Sequence, residues 1–405
     1  MLFMRPRIAI VGANFAGLKA AQMLPRRYDV TVIDQSPWFE WLPNIHEIIS
    51  GVKRPSDLRL PRRRVVAAAG HRFLRAKVVA IDPSAGHLHL AGGGKIFFEA
   101  CIVAVGGVHD NSGVPGAERF ALPFKGIEQC AVIGRKLRRL ARGRAPLSIV
   151  IIGGGLEGIE ALGEIVRRYR QRRDLSIVVV DKAKRLLPGA PAGLDRMIRR
   201  DCEGLPVRFA LGSPVAEVRE KSIRLNSGDT LPFDICIWSG GAAPPPLLYQ
   251  SGLAEARKKW AKAQSTLQSA RFDNVLLAGD AAELSPSLSK QAFYALQMGD
   301  HAADNVERLL SGKQLRDFQP AVRPMLVTFG DIDTLLVSSE TALAGTALAA
   351  VKEAIYQLTM AQLDPPTSMS SLGSLGARLN HGLVKTLPSL MSPNRLLRLP
   401  LVRVV

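Results

Sequence analysis

The sequence predicts an α/β fold with two Rossmann-like units, because the same local pattern occurs twice along the chain. The first copy, IAIVGANFAG, begins at Ile8, and the second, LSIVIIGGGLEG, begins at Leu147. In both, an apolar strand run leads into closely spaced glycines and then into a helix-forming segment, as in the first half of a βαβ unit. A duplicated architecture with one glycine loop per unit follows.

Each copy then continues to a second strand that ends in an acid, DVTVID at Asp34 and LSIVVVD at Asp181. An aspartate at this strand end accepts hydrogen bonds from a ribose 2′-hydroxyl and repels a 2′-phosphate. Both units are therefore expected to bind dinucleotides, and Asp181 favours NADH over NADPH. The candidate contacts are Gly12, Asn14, Phe15, Ala16, Gly17 and Asp34 in the first unit, and Gly153, Gly155, Gly158 and Asp181 in the second.

One residue of the first loop departs from the usual fingerprint, which has glycine where Asn14 stands. Asparagine tolerates left-handed backbone better than most residues, but it adds a side chain close to the phosphates. We expect the loop to bind a dinucleotide nonetheless.

Three further strand ends carry glycines that we expect to approach a cofactor. In the segments ACIVAVGG, ICIWSGG and VLLAGD, the first glycine after the apolar run is Gly106, Gly240 and Gly279, respectively. Asp280 follows the last of these and could hold the ribityl hydroxyls of a flavin through charge-assisted hydrogen bonds. Asp280 therefore favours FAD as the dinucleotide of the first unit.

Composition narrows the class of protein. The chain has 405 residues, is 47% hydrophobic and carries a formal net charge of +19, so several well-packed domains are expected. Its four cysteines are far apart and form no C-x-x-C pair, which argues against a zinc or dithiol site, and no metal is predicted. Arginine clusters at 62–64, 135–144 and 167–173 indicate attraction to anionic partners. No nucleic-acid-binding motif accompanies them, and nucleic acid is disfavoured.

The predicted domain order follows from these patterns. Residues 1–115 and 244–315 form the two parts of an FAD-binding domain, and residues 116–243 form an NAD(P)H-binding domain. Residues 316–405 form a C-terminal region with two strands around GDID, a small-residue-rich helix and a basic, apolar tail. Such a tail could lie on an anionic membrane surface. Its basic residues are Arg378, Lys385, Arg395, Arg398 and Arg403.

The chain resembles the flavoproteins with two dinucleotide-binding domains, and among them the type II NADH:quinone oxidoreductases and the apoptosis-inducing-factor-like NADH:quinone reductases. The similar segments include VGANFAGLKAA, VPGAERFALPFKGIEQC, IVIIGGGLEGIEALGE and LSKQAFYALQMGDHAADNV. The resemblance implies that the first loop and Asp280 hold FAD and the second loop holds NADH. It also implies that Glu160 and Glu164 lie at the nicotinamide, and that Lys290 and Gln297 lie where the acceptor meets the flavin.

The implied activity is transfer of two electrons from NADH through FAD to an acceptor, with a quinone as first choice. Departures from the family's acceptor motif, with Phe293 and Met298 where glutamines are usual, leave two alternatives open. One is a soluble reductase of a ferredoxin-like carrier, and the other is an NADH-responsive binding protein of the apoptosis-inducing-factor type. The resemblance does not extend to the disulfide reductases, since no C-x-x-x-x-C follows the first glycine loop, or to the sulfide:quinone reductases, since no cysteine follows Cys236.

The expected location is the cytoplasm, because no apolar run is long enough to span a membrane and the first strand begins close to the N-terminus. Peripheral attachment to the cytoplasmic face is compatible with the basic tail. The expected partners are NADH, the acceptor, an anionic membrane surface and a second copy of the chain in a homodimer.

Overall fold

The computed structural model describes residues 5–321, 323–338, 340–364 and 402–404. These residues form ten α-helices: α1 (Phe15–Met23), α2 (Glu47–Ser50), α3 (Arg62–Ala68), α4 (Ala117–Phe120), α5 (Ile127–Ala141), α6 (Leu156–Tyr169), α7 (Ala192–Asp201), α8 (Pro246–Gln250), α9 (Ala292–Leu310) and α10 (Leu348–Leu363).

The strands up to the second glycine loop are β1 (Arg7–Val11), β2 (Asp29–Asp34), β3 (Trp38–Glu40), β4 (Arg59–Pro61), β5 (Arg72–Arg75), β6 (Val78–Asp82), β7 (His87–Leu90), β8 (Lys95–Phe97), β9 (Ala100–Val103), β10 (Val108–His109), β11 (Leu122–Pro123) and β12 (Leu147–Ile152). The later ones are β13 (Leu175–Asp181), β14 (Val207–Leu211), β15 (Val215–Val218), β16 (Ser222–Leu225), β17 (Thr230–Pro232), β18 (Ile235–Trp238), β19 (Ala242–Ala243), β20 (Ala261–Lys262), β21 (Val275–Leu277), β22 (Ala282–Glu283), β23 (Met325–Phe329), β24 (Asp333–Val337), β25 (Ala342–Ala344) and β26 (Val402–Val404).

The first compact unit comprises Met1–Glu40, Arg59–Val108 and Ala242–Ala321. Its core is a parallel sheet in the order β21-β9-β1-β2-β5. β1, β9 and β21 are buried almost throughout, as expected for a parallel sheet covered on both faces. An antiparallel sheet of β6, β7 and β8 also belongs to this unit.

The second compact unit comprises Trp41–Leu58, His109–Gly241 and Val322–Val405. Its parallel sheet has the order β11-β18-β12-β13-β14. In each unit the strand before the glycine loop, β1 or β12, is central, and the strand ending in aspartate is its neighbour. This correspondence confirms the predicted α/β class with two Rossmann-like cores.

The C-terminal region contains an antiparallel sheet, β23-β24-β25-β26, packed with α10. The two strands expected around GDID are β23 and β24. The predicted small-residue-rich helix is α10, which begins at Leu348 after Ala342–Ala344 has paired with β24 as a strand.

Two segments belong to the second unit although the sequence analysis placed them in other domains: Trp41–Leu58 and the residues from Val322 onward. The predicted boundaries at 115, 243 and 315 stay a prediction. Most of the predicted basic tail lies outside the described residues, whereas Val402–Val404 forms β26 beside β25. Among the described residues, none of the helices has the length and apolarity needed to cross a lipid bilayer.

Candidate functional site

The first glycine loop joins β1 to α1 through two positions that admit no side chain. Gly12 has a φ of +95°, and a Cβ there would lie 2.3 Å from the carbonyl oxygen of Ala104. A Cβ on Gly17 would lie 1.9 Å from the Gly12 carbonyl oxygen. The close turn sets the N-terminus of α1 at the end of β1, where backbone N–H groups and the helix dipole favour a phosphate.

Asp34, at the end of β2, is fixed by the loop's own backbone. One carboxylate oxygen accepts a hydrogen bond from the N–H of Ala13 at 2.9 Å, and the other accepts from the N–H of Ser36 at 2.9 Å. The oxygen bonded to Ala13 retains a further lone pair for a ribose hydroxyl, whereas the oxygen bonded to Ser36 also pairs with Arg62. Asp34 therefore lies beside the first glycine loop, as predicted.

Arg62 also pairs with Asp34, and the sequence analysis did not single it out. Its guanidinium lies 2.6 Å from a carboxylate oxygen of Asp34 and donates to the carbonyl of Ala13 at 2.6 Å. The side chain is buried, and burial lowers the pKa of Arg62 against the opposing charge of Asp34. The sequence signal was only an arginine triplet, which was interpreted as surface charge.

Asn14 makes two hydrogen bonds to the backbone of one residue of β3, Glu40. Its amide nitrogen donates to the Glu40 carbonyl at 3.1 Å, and its amide oxygen accepts from the Glu40 N–H at 3.0 Å. The residue that replaces the expected glycine thus fastens the loop to β3. Its amide makes no capping hydrogen bond to α1.

Behind the loop, α1 crosses α9 at a point where only small residues fit. A Cβ on Gly299 would lie 2.2 Å from the Ala16 carbonyl oxygen, and a Cβ on Gly279 would lie 3.3 Å from the Ala16 side chain. Phe15 is buried and packs edge-on against Phe39, with ring centroids 5.2 Å apart. Of the predicted contacts, Ala16 and Gly279 are brought together, while Phe15 is directed into the core.

The predicted acceptor residues have partners within the same unit. Lys290 lies over the ring of Trp260, 3.6 Å from its centroid, and its ammonium donates to the Asp280 carbonyl at 2.5 Å. Gln297 instead exchanges hydrogen bonds with the Ala321 backbone. Gly106 has a φ of +65° and no atom within 4 Å of where its Cβ would stand.

The second glycine loop repeats the geometry of the first. Gly153 has a φ of +111°, and a Cβ on Gly158 would lie 1.8 Å from the Gly153 carbonyl oxygen. The Gly154 N–H donates to Asp181 at 2.5 Å, as Ala13 does to Asp34. Position Gly155 is open, with no atom within 4 Å of an added Cβ. Both loops therefore fit the diphosphate and ribose of a dinucleotide.

Ser239, which the sequence analysis missed, closes the back of the second loop. Its hydroxyl lies 3.0 Å from the Ile152 carbonyl and 3.2 Å from the Gly153 carbonyl. A Cβ on the neighbouring Gly240 would lie 2.3 Å from Nε1 of Trp238. Gly240 is thus required for packing of the strand end.

Arg185 is the nearest arginine in sequence to Asp181, and its guanidinium is already engaged. It donates to the carbonyls of Ala190 at 2.7 Å and Pro188 at 2.5 Å. A guanidinium used in this way is not positioned as the partner of a 2′-phosphate.

Glu160 of α6 lies in a buried charged cluster with residues far away in sequence. Its carboxylate accepts from Nζ of Lys352 at 2.7 Å and lies 3.3 Å from Nδ1 of His46. Burial raises the pKa of Glu160, but the charges of His46 and Lys352 and hydrogen bonds from both outweigh burial and lower it to about 2. Glu160 is therefore an ionised carboxylate held by the ammonium of Lys352, with the imidazole of His46 beside it.

The pKa of Glu164, one turn along α6, is shifted in the opposite direction to that of Glu160. Its side chain is fully buried, accepts a hydrogen bond from the Ser50 hydroxyl and lies 3.5 Å from Arg167. Burial is the largest influence and raises the pKa of Glu164. The two glutamates predicted as a functional pair are thus in one cluster with different protonation behaviour.

A second ion-pair group, formed by Lys53, Glu47 and Glu353, also involves the short helix α2. Lys53 lies 2.6 Å from Glu353 and 3.5 Å from Glu47, and its ammonium stands 4.5 Å from the Tyr356 ring centroid. The pKa of Lys53 is raised, because its two carboxylate neighbours outweigh burial. Glu47 and Glu353 follow His46 and Lys352 directly in sequence, so the two ion-pair groups share α2 and α10.

Two close-turn glycine loops, each with an aspartate bonded to the loop backbone, define a protein of the two-dinucleotide reductase class. Comparison with known proteins agrees: the model of the pyridine nucleotide-disulphide oxidoreductases matches residues 6–299. The chain belongs to this family, and it is an oxidoreductase that uses a flavin and a pyridine nucleotide.

Two curated relatives and one solved structure show the similarity at full length. Demethylphylloquinone reductase of Synechocystis is 23% identical over 374 residues, covering 87% of this chain and 91% of that protein. Type II NADH:quinone oxidoreductase of Staphylococcus saprophyticus is 24% identical over 381 residues, which cover 87% of this chain and 94% of that protein. The structure of NDH2 from Plasmodium falciparum in complex with NADH has a TM-score of 0.78 at 15% sequence identity. The match covers 96% of this chain and 99% of that chain, and it shows the shared fold.

Proposed function

We propose that this chain is an FAD-dependent NADH oxidoreductase that delivers two electrons to a quinone. The repeated hydrogen bond from loop N–H to strand-end aspartate carries the proposal, because it builds two separate ribose sites in one chain. Gly12, Gly17 and Asp34 would hold the adenosine half of FAD, and Gly153, Gly158 and Asp181 would hold NADH. FAD, when bound, supplies the two-electron redox chemistry.

Quinone is the proposed acceptor for two reasons. Both curated relatives described above are named as quinone reductases, and all four cysteines are buried free thiols. Burial raises the pKa of Cys202 to about 12 and that of Cys236 to about 12, so neither is an active thiolate at neutral pH. Transfer through a protein thiol is thereby disfavoured.

The buried cluster of Glu160 and Glu164 is proposed to serve the proton that quinone reduction consumes along with hydride. Burial raises the pKa of Glu164, which favours the protonated form of its carboxyl group. Glu160 accepts a hydrogen bond from the ammonium of Lys352 and thereby orients it. Lys290 and Gln297 remain proposed acceptor-site residues.

The chain is further proposed to bind the cytoplasmic face of the membrane through α10. Val351, Ile355 and Leu358 are 47%, 47% and 58% exposed, and their spacing places them on one face of the helix. Leu348, Tyr356 and other apolar residues of the same helix are buried. An apolar stripe on a chain with a net charge of +19 fits an anionic lipid surface.

A matched pair of aspartate variants tests the dinucleotide assignment. In Asp181→Ala we expect the KM for NADH to rise roughly 10-fold or more, the size of a lost charged hydrogen bond, with FAD content unchanged. In Asp34→Ala we expect reduced FAD content and an unchanged NADH-to-NADPH preference. Anaerobic reduction by each nucleotide, followed by reoxidation with a short-chain quinone, is the measurement.

The opposite pattern, with flavin lost only in Asp181→Ala, would reverse the assignment. Reoxidation by an acidic ferredoxin-like protein and not by quinone would favour the carrier reductase. Slow turnover with every acceptor together with salt-sensitive DNA binding would favour the NADH-responsive binding protein.

A further inference from the structure

Two arginine clusters that are separated in sequence converge at one end of the second unit. The first cluster lies on the C-terminal half of α5, and the second at the end of α6 and just beyond it. Between them is a groove of about 370 Å³. Its polar lining consists of Arg138, Arg142, Arg168, Tyr169, Gln171 and Arg172.

Arg172 builds the groove and does not contribute free charge to it. Its guanidinium donates to the carbonyls of Ala141 at 2.7 Å and Gly143 at 3.1 Å, which joins the end of α5 to the segment after α6. Asp174, at 2.7 Å, neutralises it. The charge of the groove therefore comes from the other three arginines.

Arg138, Arg142 and Arg168 make no ion pair with any acidic side chain among the described residues. Three such guanidinium groups around one concavity repel each other unless an anion lies among them. Last-turn arginines also complement the helix dipole, but Arg139 does so on α5 without lining the groove. Dipole complementarity alone does not account for the convergence.

Tyr169 is 9% exposed, and its buried hydroxyl has no hydrogen-bond acceptor in the described part of the chain. Burial raises the pKa of Tyr169, against the charge and hydrogen bonding of Arg168 and the charge of Arg138, so the phenol keeps its proton at neutral pH. Guanidinium groups only donate hydrogen bonds. The phenolic proton consequently lacks an acceptor, which an anionic oxygen would supply.

We propose that this groove binds a phosphate-type oxyanion, contacted by Arg138, Arg142 and Arg168 and by the hydroxyl of Tyr169 as donor. The site is separate from the glycine loop. α6 has 14 residues, and at a rise of about 1.5 Å per residue its C-terminal end is about 20 Å from the loop at its N-terminus. The ligand is either a free phosphate compound or the phosphodiester of a lipid headgroup.

Calorimetric titration with inorganic pyrophosphate at constant ionic strength tests the site. The FAD-loaded protein is saturated with NAD⁺ beforehand, so that both glycine loops are occupied. The triple variant Arg138→Gln/Arg142→Gln/Arg168→Gln is expected to weaken binding about 100-fold or more, and Tyr169→Phe about 10-fold with no change in charge.

The matched control is Arg135→Gln/Arg139→Gln/Arg173→Gln, which removes three exposed charges from the same clusters outside the groove. It is expected to change the affinity less than threefold, because distant exposed charges are screened. Equal losses in the two triple variants, or an unchanged affinity in Tyr169→Phe, would overturn the proposal.

Vesicles distinguish the two sources of phosphate. If the ligand is a lipid headgroup, sedimentation with phosphatidylglycerol vesicles falls in the groove variant and not in the control variant. If the ligand is a free phosphate compound, the two variants sediment alike and only the pyrophosphate affinity differs between them.

Discussion

Asn14 shows how one side chain can replace a fingerprint glycine without closing the loop. Glycine at this position would leave backbone alone near the phosphates, whereas Asn14 directs its amide to the backbone of Glu40. The departure from the motif is thus explained by a contact to β3, and the interpretation as a dinucleotide loop rests on Gly12, Gly17 and Asp34.

Asn14→Gly is expected to keep flavin bound and to lower the free energy of unfolding by about 1–2 kcal/mol, the value of two ordinary hydrogen bonds. Denaturant unfolding and the flavin-to-protein ratio are the measurements. Asn14→Asp is the comparison variant, because it keeps the acceptor for the Glu40 N–H but adds a negative charge, and we expect it to weaken flavin binding. Loss of flavin in Asn14→Gly would identify Asn14 as a direct ligand.

Residue patterns predicted the two loops well because every feature involved is local. An apolar strand, a glycine with positive φ and an acid one strand later are close in sequence, so Asp34 and Asp181 could be placed in advance. Arg62 could not be placed, since nothing in an arginine triplet shows which guanidinium turns inward toward Asp34.

At the scale of elements, α6 connects features that local patterns cannot relate. Its N-terminus forms the glycine loop, its middle carries Glu160 and Glu164, and its C-terminal end borders the arginine groove. The partner of Glu160 is Lys352 of α10, 192 residues away. Hydrophobic periodicity places α6 and α10 separately, but it contains no information about which polar groups meet when they pack.

The Glu160–Lys352 pair is expected to make stability depend on acid pH. The folded pKa of Glu160, about 2, lies below its unfolded value near 4.5, so its contribution is present above pH 4.5 and is lost as the pH falls toward 2. The shift corresponds to on the order of 3 kcal/mol. Glu160→Gln should therefore be strongly destabilised at pH 7, and its deficit relative to the native chain should shrink below pH 4.5.

A double-mutant cycle supplies the control. Glu160→Gln leaves a buried ammonium without its partner, and Lys352→Met in the same chain should restore most of the lost stability. Additive losses in denaturant unfolding at pH 7 would contradict a coupled pair.

At the scale of the whole molecule, a chain with a net charge of +19 has two separate surface features that can contact an anionic partner. The arginine groove lies between α5 and α6, whereas the exposed apolar stripe lies on α10. Composition predicted attraction to anions without saying where. The fold is needed to distinguish the concave charged groove from the apolar face of α10.

The stripe on α10 gives a membrane prediction that is independent of charge. Val351→Ser/Ile355→Ser/Leu358→Ser is expected to reduce binding to phosphatidylglycerol vesicles roughly 10- to 100-fold, since each side chain loses about 1 kcal/mol of apolar burial. Sedimentation over a salt series is the measurement, and FAD content confirms folding. The control Val79→Ser/Phe97→Ser removes apolar side chains that are 40% and 51% exposed on the β6–β8 sheet, and it should bind vesicles as the native chain does. Unchanged binding in the α10 variant would place the membrane contact elsewhere, and deletion of residues from about 377 onward would then test the tail.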